Sequence, residues 1–291
     1  MSVFQLQNNL LQLKVNSFGA ELCSVISKET EIEYIWQADK EVWARHAPNL
    51  FPIVGKLKDG KYSYQSKDYQ LPQHGFARDN EFICIEEKDD FLLFEFTANE
   101  STLEKFPFHF SLQIGYKLDG NKVKVSYTVF NPDSKELYFS IGAHPAFNCP
   151  LQKNELFTDY ELYFPEKHKL IINSLNDGLI TNQTRELLLE DNRLNVSKEL
   201  FNNDALVCMN SQIDEVRLIS KKSKHGVSLV SENWPYYGIW SKKGIEQFVC
   251  LEPWFGIADN EHTTREFVSK TGIIKLESEQ YFNGSFDILF F

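Results

Sequence analysis

Methionine is scarce in this 291-residue sequence, with two copies, and its five cysteines stand singly at Cys23, Cys84, Cys149, Cys208 and Cys250. No C-x-x-C pair occurs, and an odd, dispersed set reads as buried free thiols in a reducing compartment. No apolar run approaches the roughly 18 residues of a membrane span. The start, Met1 to Gln7, lacks the basic and apolar regions of a signal peptide. Basic stripes are also missing. With a net charge of −11 and a pI near 5.2, a phosphate-backbone partner is not expected. The expected setting is cytoplasmic, with neither nucleic acid nor membrane as partner.

Several chemistries are absent too. There is no H-E-x-x-H, and none of the seven histidines is spaced as a metal-ligand pair. No G-x-S-x-G elbow, Walker-type loop or glycine-rich dinucleotide fingerprint occurs. No metal and no cofactor are expected. Sustained helical periodicity, linkers, low-complexity runs and short repeats are also lacking.

What the chain has is phenylalanine and tyrosine, 24 and 12 copies, a weighting that favours strands. Val123, Val125, Tyr127 and Val129 share one face of a strand over 122–130, joined through Asp119-Gly120-Asn121 to another over 111–118. Asp59-Gly60 reads as a hairpin turn between Leu57 and Tyr62. Lys88-Asp89-Asp90 reads as another, between 82–85 and 91–96. Ser101 to Glu104 has capping-box form, but Pro107 limits any helix to a turn or two. Ser197 to Phe201 reads as a short helix, and Asn176-Asp177-Gly178 as a turn in an otherwise less regular middle. The pattern implies an all-β chain, one domain over residues 1–291, built as a large antiparallel sandwich with a few short helical turns.

Three stretches place titratable groups among small or aromatic residues: Leu71 to Asp79, Ser140 to Asn148, and Cys250 to Gly256. In the second, Gly142 and Ala143 leave room for something to approach the backbone. Pro145 pushes His144 towards an extended conformation, and an imidazole at a strand end is suited to moving a proton. In the third, Glu252 follows an apolar strand and precedes Pro253 and Trp254, so partial desolvation raises its pKa. Taken singly, each has a bland explanation: a satisfied histidine, a salt-bridged glutamate.

Together and in order, Gln-His-Gly-Phe, Gly-Ala-His-Pro-Ala-Phe-Asn and Leu-Glu-Pro-Trp resemble the aldose 1-epimerase (galactose mutarotase-like) family, most closely its LacX-type subgroup. Leu50 to Gly55 and Lys58 to Tyr62 extend the likeness over nearly the whole chain. The resemblance implies a β-supersandwich with an open cleft and a cofactor-independent isomerase interconverting α and β anomers of a sugar. It places the general acid on His144 and the general base on Glu252, and gives His74 an assisting role at the sugar. Lys56, Gln73, Arg78, Asn148 and Trp254 become candidate substrate contacts, with Trp36 and Phe147 as further aromatic candidates. Core packing is the expectation for most of these aromatics. Arg78, with Arg45 and Lys56, also resembles a phosphate clamp of hexose-6-phosphate 1-epimerases, about as well as it fits surface salt bridges. A non-catalytic sugar-binding or sensor protein is the alternative of another class. The whole reading supposes Glu252 and His144 facing each other across a gap one pyranose wide.

Overall fold

The computed structural model describes residues 2–291. Two large antiparallel sheets dominate it. The first has nine strands, running from Arg193–Asn195 at one edge through Tyr281–Phe290, Lys122–Phe130 and Ser111–Asp119 to Ile83–Lys88 at the other. Eight strands make the second, in which Leu206–Met209, Tyr236–Trp240, Phe248–Phe255 and Ile141–Ala143 follow one another and Ala146–Asn148 also joins Phe248–Phe255. One large apolar cluster draws on both sheets, with Leu112, Val123 and Ile288 from the first and Ile172, Ile239 and Leu251 from the second. Tyr127 of the first sheet donates to Asn49 Oδ1 of the second at 2.7 Å. A buried hydroxyl and a buried amide thereby satisfy each other inside an otherwise apolar layer.

The alternation read at 122–130 is the observed one: Val123, Val125, Tyr127 and Val129 are buried and their neighbours are not. Hairpins at 119–121 and 88–90 are also where the sequence placed them. Asp59-Gly60 is different. It forms a single 3₁₀ turn, and the hairpin follows one strand later, joining Lys61–Tyr64 to Lys67–Gln70 through Gln65 and Ser66. Both of those residues have positive φ, 50° and 62°, the conformation that usually selects glycine or asparagine. The short helix Glu100–Leu103 is capped by Asn99 rather than Ser101. Asn99 Oδ1 accepts from the Thr102 N–H at 3.1 Å while Thr102 Oγ1 accepts from the Asn99 N–H at 2.9 Å. The middle proves regular, since Lys169–Asn176 and Leu179–Leu188 form a long hairpin around Asp177-Gly178. Cys149, Cys208 and Cys250 are buried, whereas Cys23 and Cys84 are only half-buried. Among the described residues, no helix is long and apolar enough to cross a membrane.

Strand Phe248–Phe255 lies inside the second sheet, between Tyr236–Trp240 and Ile141–Ala143. Its alternate side chains divide cleanly. Val249 and Leu251 enter the main core, while Cys250 and Trp254 join smaller apolar clusters. Glu252 lies between those two in the alternation, so the strand's own pleat lifts a carboxylate out of the core and into a cleft.

Candidate active site

The cleft is a cavity of about 470 Å³ whose lining includes His74, His144 and Glu252. Three stretches separated by some 180 residues of sequence therefore meet. His144 Nε2 and Glu252 Oε2 stand 3.1 Å apart, so the supposed pyranose-wide gap is not there. The pair touches, and a sugar has to approach both groups from the same side. Their alignment falls short of a hydrogen bond, and Glu252 Oε2 and His144 Nδ1 are buried with no hydrogen-bond partner. Polar atoms left in that condition are expensive in a core, which marks this pair as built for something other than stability.

Small residues make the room. Gly238 stands opposite Glu252 in the sheet, and a Cβ there would lie 2.4 Å from Trp254 Cη2. On the other side, a Cβ on Gly142 would lie 2.7 Å from Trp254 Cδ1. The group that Gly142 admits is thus the indole of Trp254, which is wedged between two glycines and lines the cavity. Gly238→Ala is expected to cost about 1–3 kcal/mol by overpacking. A thermal melt indistinguishable from the parent protein would show that the indole can move aside.

Burial sets the protonation of all three groups. It raises the Glu252 carboxyl well above its ordinary value; nearby Asp204 adds to this and Trp254 opposes it. His144 is pulled the other way, first by burial and then by Arg78. Both members therefore favour their neutral forms, and the pair holds one proton. His74 is also pulled well below its ordinary value, by burial first and then by His144 and Arg78. Its Nδ1 accepts the Gly55 N–H at 3.1 Å, so the ring's single proton sits on Nε2. Gln73 Nε2 is placed 3.3 Å from that nitrogen. A nitrogen bearing hydrogen calls for an acceptor, so the Gln73 amide presents its oxygen there.

Aromatic rings enclose His144. Trp43 stacks on it at 5.1 Å and Trp240 meets it edge-on at 5.7 Å, while His74 stands at 5.4 Å. Trp43, Trp240, Asp204 and Lys242 all line the cavity, and none was singled out from the sequence. In a chain this aromatic, Trp240 on its strand and Trp43 in its loop both read as packing, and Asp204 reads as part of a solvated Asn-Asn-Asp turn.

Among the expected substrate contacts, Gln73, Arg78 and Trp254 line the cavity, as does Arg45. Asn148 is not brought there: its amide donates to the carbonyls of Glu33 and Ile35 at 2.8 and 3.0 Å. Lys56 turns to Asp177 instead, at 2.7 Å, and is not a lining residue. Trp36 donates to the Trp43 carbonyl at 2.8 Å, and Phe147 is wholly buried. Both serve packing.

The family model for aldose 1-epimerase matches residues 2–266. The chain belongs to the aldose 1-epimerase family. LacX (chromosomal) of Lactococcus lactis subsp. lactis is 31% identical over 293 residues, covering 98% of each protein. A galactose mutarotase related enzyme from Lactobacillus acidophilus superposes with a TM-score of 0.96 at 32% identity, covering all of this chain and 97% of that one. A galactose mutarotase-like protein from Lactobacillus casei ATCC 334 gives 0.91 at 31%, with both chains covered in full. The supersandwich and the LacX kinship expected from the ordered motifs are therefore the observed ones. Family and fold together support an isomerase of the mutarotase type with a sugar as its small-molecule partner.

Proposed function

We propose that this aldose 1-epimerase family member acts as a single domain, without a cofactor, to interconvert sugar anomers, with Glu252 as base, His144 as acid and His74 assisting. The observation that carries the reading is the 3.1 Å approach of His144 Nε2 to Glu252 Oε2 at the cavity wall. Proton transfer across that gap converts the neutral pair into carboxylate and imidazolium without changing its net charge. In this form Glu252 takes the proton from the C1 hydroxyl while His144 gives one to the ring oxygen. The C1–O5 bond breaks, C1 becomes an aldehyde, and rotation about C1–C2 exposes its other face. Ring closure reverses both transfers. The ring-open stage finds the pair as carboxylic acid and neutral imidazole, the forms that burial favours. Burial thus favours the same neutral pair before and after ring opening, and the ionic form is passed through only while protons move. His74, neutral and bearing its proton on Nε2, donates to the sugar once the sugar displaces the Gln73 amide oxygen from that N–H.

A phosphorylated hexose is the second reading, favoured by the cations on the cavity wall. Arg45, Arg78 and Lys242 all line it. Arg45 is tied to Asp79 at 2.8 Å, and Arg78 Nη2 donates to the Gln73 carbonyl at 2.7 Å. Arg78 Nε makes no hydrogen bond among the described residues and lies 3.8 Å from Asp79 Oδ2, so an anionic oxygen would compete with Asp79 for that donor.

Polarimetry or anomer-resolved NMR on freshly dissolved glucose, galactose and their 6-phosphates separates these readings. Acceleration with the free sugars supports the first, and acceleration confined to the phosphates selects the second. No acceleration with any of them would overturn both and leave a sugar-binding protein without catalysis. If the phosphates are substrates, Arg78→Ala is expected to raise their KM about 10–100-fold, the equivalent of one charge-assisted hydrogen bond. The KM for any free hexose should stay nearly unchanged. Equal loss for both would instead give Arg78 a structural role.

A further inference from the structure

Lys270 and Asp259 form a buried ion pair, 3.4 Å apart and each about 3% exposed in its side chain. Neither lines the cavity, and the reaction proposed above uses neither. Burying two charges is costly unless geometry and further hydrogen bonds compensate, so what the pair holds is informative. Lys270 Nζ also donates to the Ile257 carbonyl. Asp259 Oδ2 accepts the Lys58 N–H at 3.0 Å, and the Asp259 N–H is given to the Lys56 carbonyl at 2.9 Å. The pair thereby clasps residues 257–259, just past the Glu252 strand, against residues 56–58.

Gly55 is the next residue along, and it is pressed against the same corner. A Cβ on Gly55 would lie 2.6 Å from the Ala258 Cα. The Gly55 N–H is the group that His74 Nδ1 accepts, and the Gly55 carbonyl accepts the His74 N–H at 2.9 Å. His74 itself is held at φ 67°, a left-handed conformation that surrounding structure has to impose.

We propose that Lys270 is a positioning residue for His74. Through Asp259 it fixes the Gly55–Lys58 segment, and through the Gly55 N–H that segment fixes which nitrogen of His74 carries the proton. The Nε2–H, beside Gln73 at the cavity wall, is thus maintained from the far side of that wall. The catalytic consequence rests on the mutarotase reading, but the tautomer control does not.

The test is Lys270→Met, read by ¹⁵N NMR of the His74 ring at neutral pH and assigned against His74→Asn. The parent protein is expected to show one tautomer, protonated at Nε2. The variant is expected to show a mixture of tautomers, with a raised sugar KM and kcat/KM lowered by up to about 100-fold, as for small misplacements of a site group. Lys270→Met leaves Asp259 buried and uncompensated, so Lys270→Met/Asp259→Asn is measured as well. Removing both charges of such a pair is often tolerated. A folded double variant with a melting temperature near the parent's and mixed His74 tautomers supports positioning. The same variant with the parent's single tautomer overturns it and leaves the pair a purely structural clasp. The NMR readout stands apart from sugar turnover, so a chain inactive on every sugar leaves this test intact.

Discussion

Glu252→Gln is expected to lower kcat about 10²–10⁴-fold, the usual worth of a positioned general base, while sugar binding survives. Glutamine keeps the shape and an acceptor oxygen but cannot take the C1 hydroxyl proton. The loss should fall on kcat with KM changed little, because the missing interaction develops only as the ring opens. Full activity in this variant would remove Glu252 as the base. Loss of binding with the parent's kcat would make it a recognition residue.

The same substitution is expected to change how stability depends on pH. In the unfolded chain Glu252 titrates near 4.5 and His144 near 6.5, whereas folding raises the first and lowers the second. Between those two values the unfolded pair holds one proton on His144 and the folded pair one on Glu252. The pair therefore gives no pH dependence there. Above pH 6.5 the unfolded pair has released its proton and the folded pair retains it, so stability falls as pH rises. His74 acts on the other side. Its depressed value leaves it neutral when folded, so stability is lost as pH drops below 6.5, where only the unfolded chain binds that proton. These three groups together place their stability maximum close to pH 6.5. Glu252→Gln removes the alkaline decline, and its melting temperature should overtake the parent's as pH increases. Parallel curves above pH 6.5 would show that the folded carboxyl is not held protonated.

How much of this was legible beforehand depended on whether one local rule governed a position. Strand 122–130 was legible because burial on one face imposes period two, and Val123 to Val129 obey it. His74, His144 and Glu252 were legible through ordered motifs, although nothing local shows that they touch. The cavity wall beside them depends on Gly142 and Gly238 letting Trp254 seat between strands, a packing relation among three distant segments. Lys56 was misplaced because a flexible cation next to a turn has two directions open to it, and Asp177 from another hairpin decides between them. Trp43 and Trp240 carried no signal of their own. Their value comes from the imidazole they enclose, which only the assembled sheet supplies.

His144→Asn is expected to lower kcat on a scale similar to Glu252→Gln, about 10²–10⁴-fold, and for a related reason. Asparagine can hydrogen-bond the ring oxygen but cannot hand it a proton. The face of Trp43, stacked at 5.1 Å, attracts an imidazolium at an effective worth of about 0.5–2 kcal/mol. That attraction partly offsets the burial that disfavours the charged ring, and the acid form becomes reachable during turnover. Asparagine gains nothing comparable from the stack. On the proposed mechanism a single proton passes between the two groups, so removing either one is expected to disable both, and the losses are not additive. The Glu252→Gln/His144→Asn double variant should therefore be about as slow as the worse single variant in a polarimetric assay. A double variant slower by the product of the two single effects would show that Glu252 and His144 act independently, and the shared proton at 3.1 Å would have no part in the chemistry.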